Sequence, residues 1–244
     1  MKILVWDLPL RVFHWAFAAC IAGALVIALA AGEDHPAFAV HAILGLAACG
    51  LLVLRLALGV AGSRHNRLAA LCFTPAALLR YLRSATTGGG GRYVAHNPAA
   101  ATAAVGMFVT LGGLALTGLP LAAEAGEELH EVLAWVMLGL VAAHLAGLAA
   151  HTLRHRENIG LSMVTGRKEG PAADGLRSAH PLAAGVHVLL AAAWCGALAA
   201  GYDAGRRTVT LPLIGVTFAV GENEQGEARD QAGGQGAAEH DDDD

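Results

Sequence analysis

The chain has 244 residues, of which 55% are hydrophobic and 15% charged, and its formal net charge is −4. Soluble domains carry about 25% charged residues, so this composition excludes an ordinary water-covered globule. The net charge says little, because positive and negative residues gather in different loops, and no nucleic-acid partner is expected.

Apolar runs of 18 or more residues read as membrane-spanning helices, and five segments qualify. They are 12–31, 38–60, 99–121, 129–153 and 182–201. At about 1.5 Å per residue, each can cross a hydrocarbon core of roughly 30 Å. The runs are continuously apolar and do not alternate, which excludes strands of a barrel. The expected fold is therefore an all-α integral membrane protein: a four-helix transmembrane bundle over residues 1–168, with a fifth helix after a linker at 169–202.

Lys2 and Arg11 precede the first run, and Ala28-Leu29-Ala30 has the small residues of a signal-peptide cleavage site. Trp6, Asp7, His14 and Trp15 crowd the position of a plain apolar core, however, and Trp at a membrane interface suits a retained helix. Between the second and third runs lie Arg64, Arg67, Arg80, Arg83 and Arg92. Gly88–Gly91 in that loop lacks the Lys-Ser/Thr of a phosphate-binding loop and reads as a flexible link. Gly112-Gly113 and Gly118-Leu-Pro120 interrupt the third run. Between the fourth and fifth runs lie Arg154, Arg156, Arg167, Lys168 and Arg177.

The remaining two loops hold Glu33 and Asp34, and Glu124, Glu127 and Glu128, with no Lys or Arg. The positive-inside rule then places the N-terminus in the cytoplasm, and five crossings place the C-terminus outside. Residues 203–244 read as an acidic, largely disordered tail. A short strand or hairpin is expected at 208–220, and the final Asp241–Asp244 run is taken as solvated.

Cys20, Cys49, Cys72 and Cys195 have no close pairing and no Cys-x-x-Cys-His, which excludes covalent haem attachment and cysteine-ligated clusters. The 12 histidines carry more information, because a polar side chain within a bilayer is costly unless it is used. His14 opens the first helix at its cytoplasmic side, and His41 lies early in the second, at the outer side. His130 and His144 share the fourth. Their 14-residue spacing keeps them about 40° apart on one face and about 21 Å apart in height.

His144 can thus face His14 at the inner level, and His130 can face His41 at the outer level. Two stacked bis-histidine sites suit two haem b groups held between helices. Gly45 and Gly147, each about a turn from a ligand candidate, would let a flat macrocycle approach. For His187 in the fifth helix, the expectation is only a hydrogen bond to a neighbouring helix.

Several motifs also match a family in order. Val5-Trp6-Asp7-Leu8-Pro9 running into Phe13-His14-Trp15, His41-Ala-Ile-Leu-Gly45 and Gly62-Ser63-Arg64-His65 resemble bacterial cytochrome b561. So do Ala95-His96-Asn97-Pro98, Leu129-His130-Glu131, His151-Thr-Leu-Arg-His155 and Gly166-Arg167-Lys168. The resemblance covers about residues 4–168 and extends to the b-type subunits of nickel–iron hydrogenases. It implies a bacterial inner-membrane protein with two haem b groups, with His14, His41, His130 and His144 as axial ligands, and electron exchange with membrane quinone.

Around those groups, Arg55, Arg64 and Arg80 are candidates for haem propionates, and His96 is a candidate quinone contact. Asn97 and Pro98 read as a helix cap and first position. His151 and His155 are expected among lipid headgroups. The expected function is electron transfer between quinone/quinol and a redox partner, such as a basic periplasmic cytochrome c drawn by the acidic outer loops. The alternatives are a membrane anchor for a hydrogenase-like reductase and, in another class, a histidine-lined metal or proton transporter. A dimer is left open.

Overall fold

The computed structural model describes residues 1–31, 35, 37–87, 93–118 and 124–220. Glu33, Asp34, Arg92, the Gly88–Gly91 run, Pro120 and the tail beyond 220 lie outside the described residues.

Helix α1 spans Leu8–Ala30. It starts earlier than hydropathy alone suggests, because Asp7 caps it by accepting from the Leu10 backbone N–H at 3.1 Å and Pro9 occupies the first turn. Helix α2 is Phe38–Ala61. Helix α3, Pro75–Thr87, was not expected from the sequence. Helix α4, Pro98–Thr117, begins as anticipated, with the Asn97 side chain accepting from the Ala100 N–H at 2.8 Å. It stops short of residue 121, at Gly118. Helix α5, Glu124–His155, runs 32 residues. A short α6, Ser162–Thr165, precedes α7, Pro181–Ala200. Helices α1, α2, α4, α5 and α7 are each long and apolar enough to span a membrane. The chain is a multi-pass helical membrane protein.

Two antiparallel hairpins, α1–α2 and α4–α5, make the bundle, with α2 lying against α4. Among the described residues, the closest backbone neighbour of α5 is α4. Phe13, Phe17, Ile21, Leu51, Leu111 and Met137 form the buried core between the hairpins. Helix α7 docks outside them, against α1 and α2, where the Trp194 indole N–H donates to the Leu46 carbonyl at 3.0 Å.

Arg64, Arg67, Arg154, Arg156, Arg167 and Lys168 all belong to the same end of the bundle as the N-terminus, called here the basic end. Strand β1, Lys2–Leu4, pairs there antiparallel with β2, Arg167–Glu169, with Ile3 opposite Lys168. Gly166, at φ 76°, makes the turn into β2, and its carbonyl accepts from the Val5 and Trp6 N–H groups at 2.8 and 3.0 Å. An L side chain rarely adopts that backbone conformation. Trp6 donates to Ser162 Oγ at 3.0 Å, and Trp15 to the Met163 carbonyl at 3.1 Å. The chain on both sides of the four-helix unit is thereby tied into one clasp.

At the opposite end, α7 runs into a three-stranded antiparallel sheet of β3, Tyr202–Asp203, β4, Thr208–Thr210, and β5, Thr217–Ala219. The hairpin expected within 208–220 is present. Residues 203–220 are thus folded and do not belong with a disordered tail, because Val209, Phe218 and Val220 bury themselves against Leu198 of α7 and Ala39 of α2.

Candidate functional site

The four membrane histidines fall at two levels. His41, in the first turn of α2, stacks on Phe38 with ring centres 5.1 Å apart. Its Nδ1 lies 2.9 Å from the Ala24 carbonyl of α1. A carbonyl only accepts, so Nδ1 carries the hydrogen and Nε2 keeps the lone pair. His130 reaches across from α5, and its ring centre lies 6.2 Å from that of His41, with the planes at 66°.

His130 Nδ1 lies 3.0 Å from Thr117 Oγ1, at the end of α4. The Thr117 hydroxyl donates to the Gly113 carbonyl at 3.0 Å, so it accepts the Nδ1 hydrogen of His130, and Nε2 is again the basic nitrogen. A Cβ at Gly118 would come within 3.1 Å of the His130 ring, so glycine leaves the imidazole its place there.

At the basic end, His14 and His144 lie within electrostatic reach of each other. His14 Nδ1 is buried with no hydrogen-bond partner, and its ring meets Trp15 edge-on at 5.1 Å. Arg55 is 2% exposed, stands 6.0 Å over the Phe13 ring, and has a buried Nη1 without a partner. Asp7 lies within electrostatic reach of it, and the Asp7 carboxylate also accepts from Leu10 and, at 3.4 Å, from Asn66 Nδ2.

Arg64 is turned elsewhere, donating to the Asp174 carbonyl at 2.7 Å and pairing with its carboxylate at 3.6 Å. Arg80 is exposed on α3. His96, just before α4, packs on Trp6 with ring centres 4.8 Å apart, and its Nδ1 is buried and unpartnered. Burial, reinforced by the nearby charges of Arg55 and Lys168 and by His65 and His144, pushes its pKa down to about 3. The imidazole is therefore neutral at any physiological pH.

His187 is 3% exposed, and its buried Nε2 makes no hydrogen bond. His151 and His155 meet with ring centres 4.5 Å apart and planes at 41°, near Glu157 and past the inner pair. No group of three or more metal-type ligands clusters among the described residues.

The model of the prokaryotic cytochrome b561 family matches residues 5–166, a stretch that holds all four histidines, Arg55 and His96. The chain belongs to the prokaryotic cytochrome b561 family. No curated protein and no solved structure matches it.

As a b-type cytochrome of the membrane, the protein transfers electrons through haem b. The residues fit that group. Two imidazoles on one metal stand with ring centres about 6 Å apart, since each metal–nitrogen bond is about 2.0 Å, and the His41–His130 spacing of 6.2 Å agrees. Beside Gly45, one turn past His41, and Gly147, one turn past His144, a Cβ would meet nothing within 4 Å, so neither helix blocks a flat ring. The cytochrome's Thr117 and the Ala24 carbonyl were not identified from the sequence. Thr117 was legible only as a lone hydroxyl closing an apolar run, with nothing to point it at His130.

Proposed function

We propose that this cytochrome holds two haem b groups and passes electrons across the bacterial inner membrane between quinone/quinol and a redox protein. The observation that carries the reading is the facing pair His41 and His130, each with Nδ1 committed to an acceptor on another helix and Nε2 left as the ligating nitrogen. His14 and His144 form the second pair, about 21 Å away along α5. Haem supplies one-electron chemistry, and two histidines per iron leave no position open for a substrate.

The protein's own groups do the rest. Arg55, buried and short of one acceptor, receives a propionate at the basic end. Arg64 is occupied by Asp174 and contributes less directly. Neutral His96 offers its Nδ1 to quinone. The basic end faces the cytoplasm, and Glu127 and Glu128, exposed at the start of α5, present negative charge to a basic periplasmic cytochrome c. Family membership gives no support to the transporter alternative. A reductase anchor is distinguished by co-purification of a catalytic subunit.

The test is a dithionite-reduced minus oxidised spectrum with haem quantified per chain. Two haem b are expected, falling to about one in His130→Ala or His41→Ala. A colourless protein made with ample haem, or a variant that keeps both haems, overturns the scheme.

A further inference from the structure

The two histidine levels differ in how their second ring nitrogens are served. At the outer level both imidazoles donate from Nδ1: His41 to the Ala24 carbonyl at 2.9 Å, and His130 to Thr117 Oγ1 at 3.0 Å. Such a bond raises the basicity of the ligating nitrogen, and a more basic ligand favours ferric over ferrous iron. Exposed Glu127, one turn before His130, adds negative charge of the same effect.

At the inner level, His14 lacks that support, because its Nδ1 is buried with no acceptor. Arg55, 2% exposed with one Nη1 unpartnered, stands at this level, and even shared with a propionate its buried positive charge favours the ferrous state, because its field is little screened.

We propose that the His41/His130 site is the lower-potential of the two, and that Thr117 is the positioning residue that holds it there through His130. This rests on the dihaem reading above. Thr117 suits the part because its hydroxyl hydrogen is spent on the Gly113 carbonyl at 3.0 Å. It can therefore only accept from the imidazole, which fixes both the tautomer and the ring orientation.

The experiment is a spectroelectrochemical titration of the full-length dihaem protein. Wild type should show two waves, and His130→Ala should lose the lower one. Thr117→Val should keep two haems and raise the lower wave, changing the ferric-to-ferrous ratio at fixed potential by up to about tenfold, or about 59 mV for one electron. The upper wave should not move, and Thr117→Ser should restore the wild-type value. If the valine variant instead sheds one haem and the serine variant regains it, the positioning role also stands. Loss of the upper wave in His130→Ala overturns the ordering. A two-haem Thr117→Val protein with both waves unmoved overturns the role of Thr117. Wild-type protein without two haems overturns the dihaem reading and this inference with it.

Discussion

His96 and His41 show how differently one residue type is used within this bundle. His41 keeps a fixed hydrogen on Nδ1 through a carbonyl of the next helix, whereas His96 is walled in by Trp6 and by positive charge. Because the pKa of His96 lies at about 3 in the folded protein, the unfolded chain binds a proton there first as pH falls. Folding stability is intact above about 6.5 and falls by roughly 1.4 kcal/mol per pH unit below that, down toward 3. Thermal unfolding in detergent between pH 7 and 4.5 should show this slope, and His96→Phe should flatten it. An unchanged slope in the variant would assign the acid sensitivity to other groups.

The depth of the four histidines along their helices was legible in the sequence, because 14 residues fix both height and face on one helix. The partners of their other nitrogens were not. Whether Thr117 meets His130 depends on the path of the chain between α4 and α5, which periodicity does not encode.

Among the elements, the apolar spans were readable and the others were not, for physical reasons. Helix α3 carries Arg80 and Arg83 among Leu79 and Leu82, so a hydropathy average hides it, although its apolar and basic residues occupy separate sides. Strands β1 and β2 pair across more than 160 positions, a contact no local pattern announces. Helix α7 was readable as a span, but its seat was not. Gly50 of α2 lies directly under the Trp194 indole, so that any Cβ there would collide with it.

Gly50→Leu should therefore loosen α7, with a cost of about 1–3 kcal/mol typical of overpacking, visible as a lower unfolding temperature. Haem content should stay at the wild-type value, because none of the four candidate ligands lies on α7. Loss of haem in this variant would mean that α7 supports the sites as well as covering them.

For the whole molecule, the arginines and lysine of the loops between the spans gather at one end, while Arg206 and Arg207 sit in the β3–β4 turn at the other, and the reading of the first end as cytoplasmic has a direct test. Cys72 is exposed on the connection between α2 and α3, on the basic side. A membrane-impermeant maleimide should label it in inverted vesicles and leave it untouched in intact spheroplasts. The reverse pattern would turn the protein over in the membrane.

The clasp of β1 on β2 has a consequence for how the protein is made. Leu4 waits for Arg167, and His14 for His144, so neither the seam nor the inner histidine pair can close until nearly the last of the family's span has left the ribosome. At 5–20 residues per second, that delay is roughly 10–30 s. Once α2 is complete, and for the rest of that interval, the α1–α2 hairpin must rest in the bilayer with Arg55, His14 and His41 not yet covered by α4 and α5. Biogenesis thus has a built-in waiting time, during which an insertion factor has the opportunity to hold the half-built bundle.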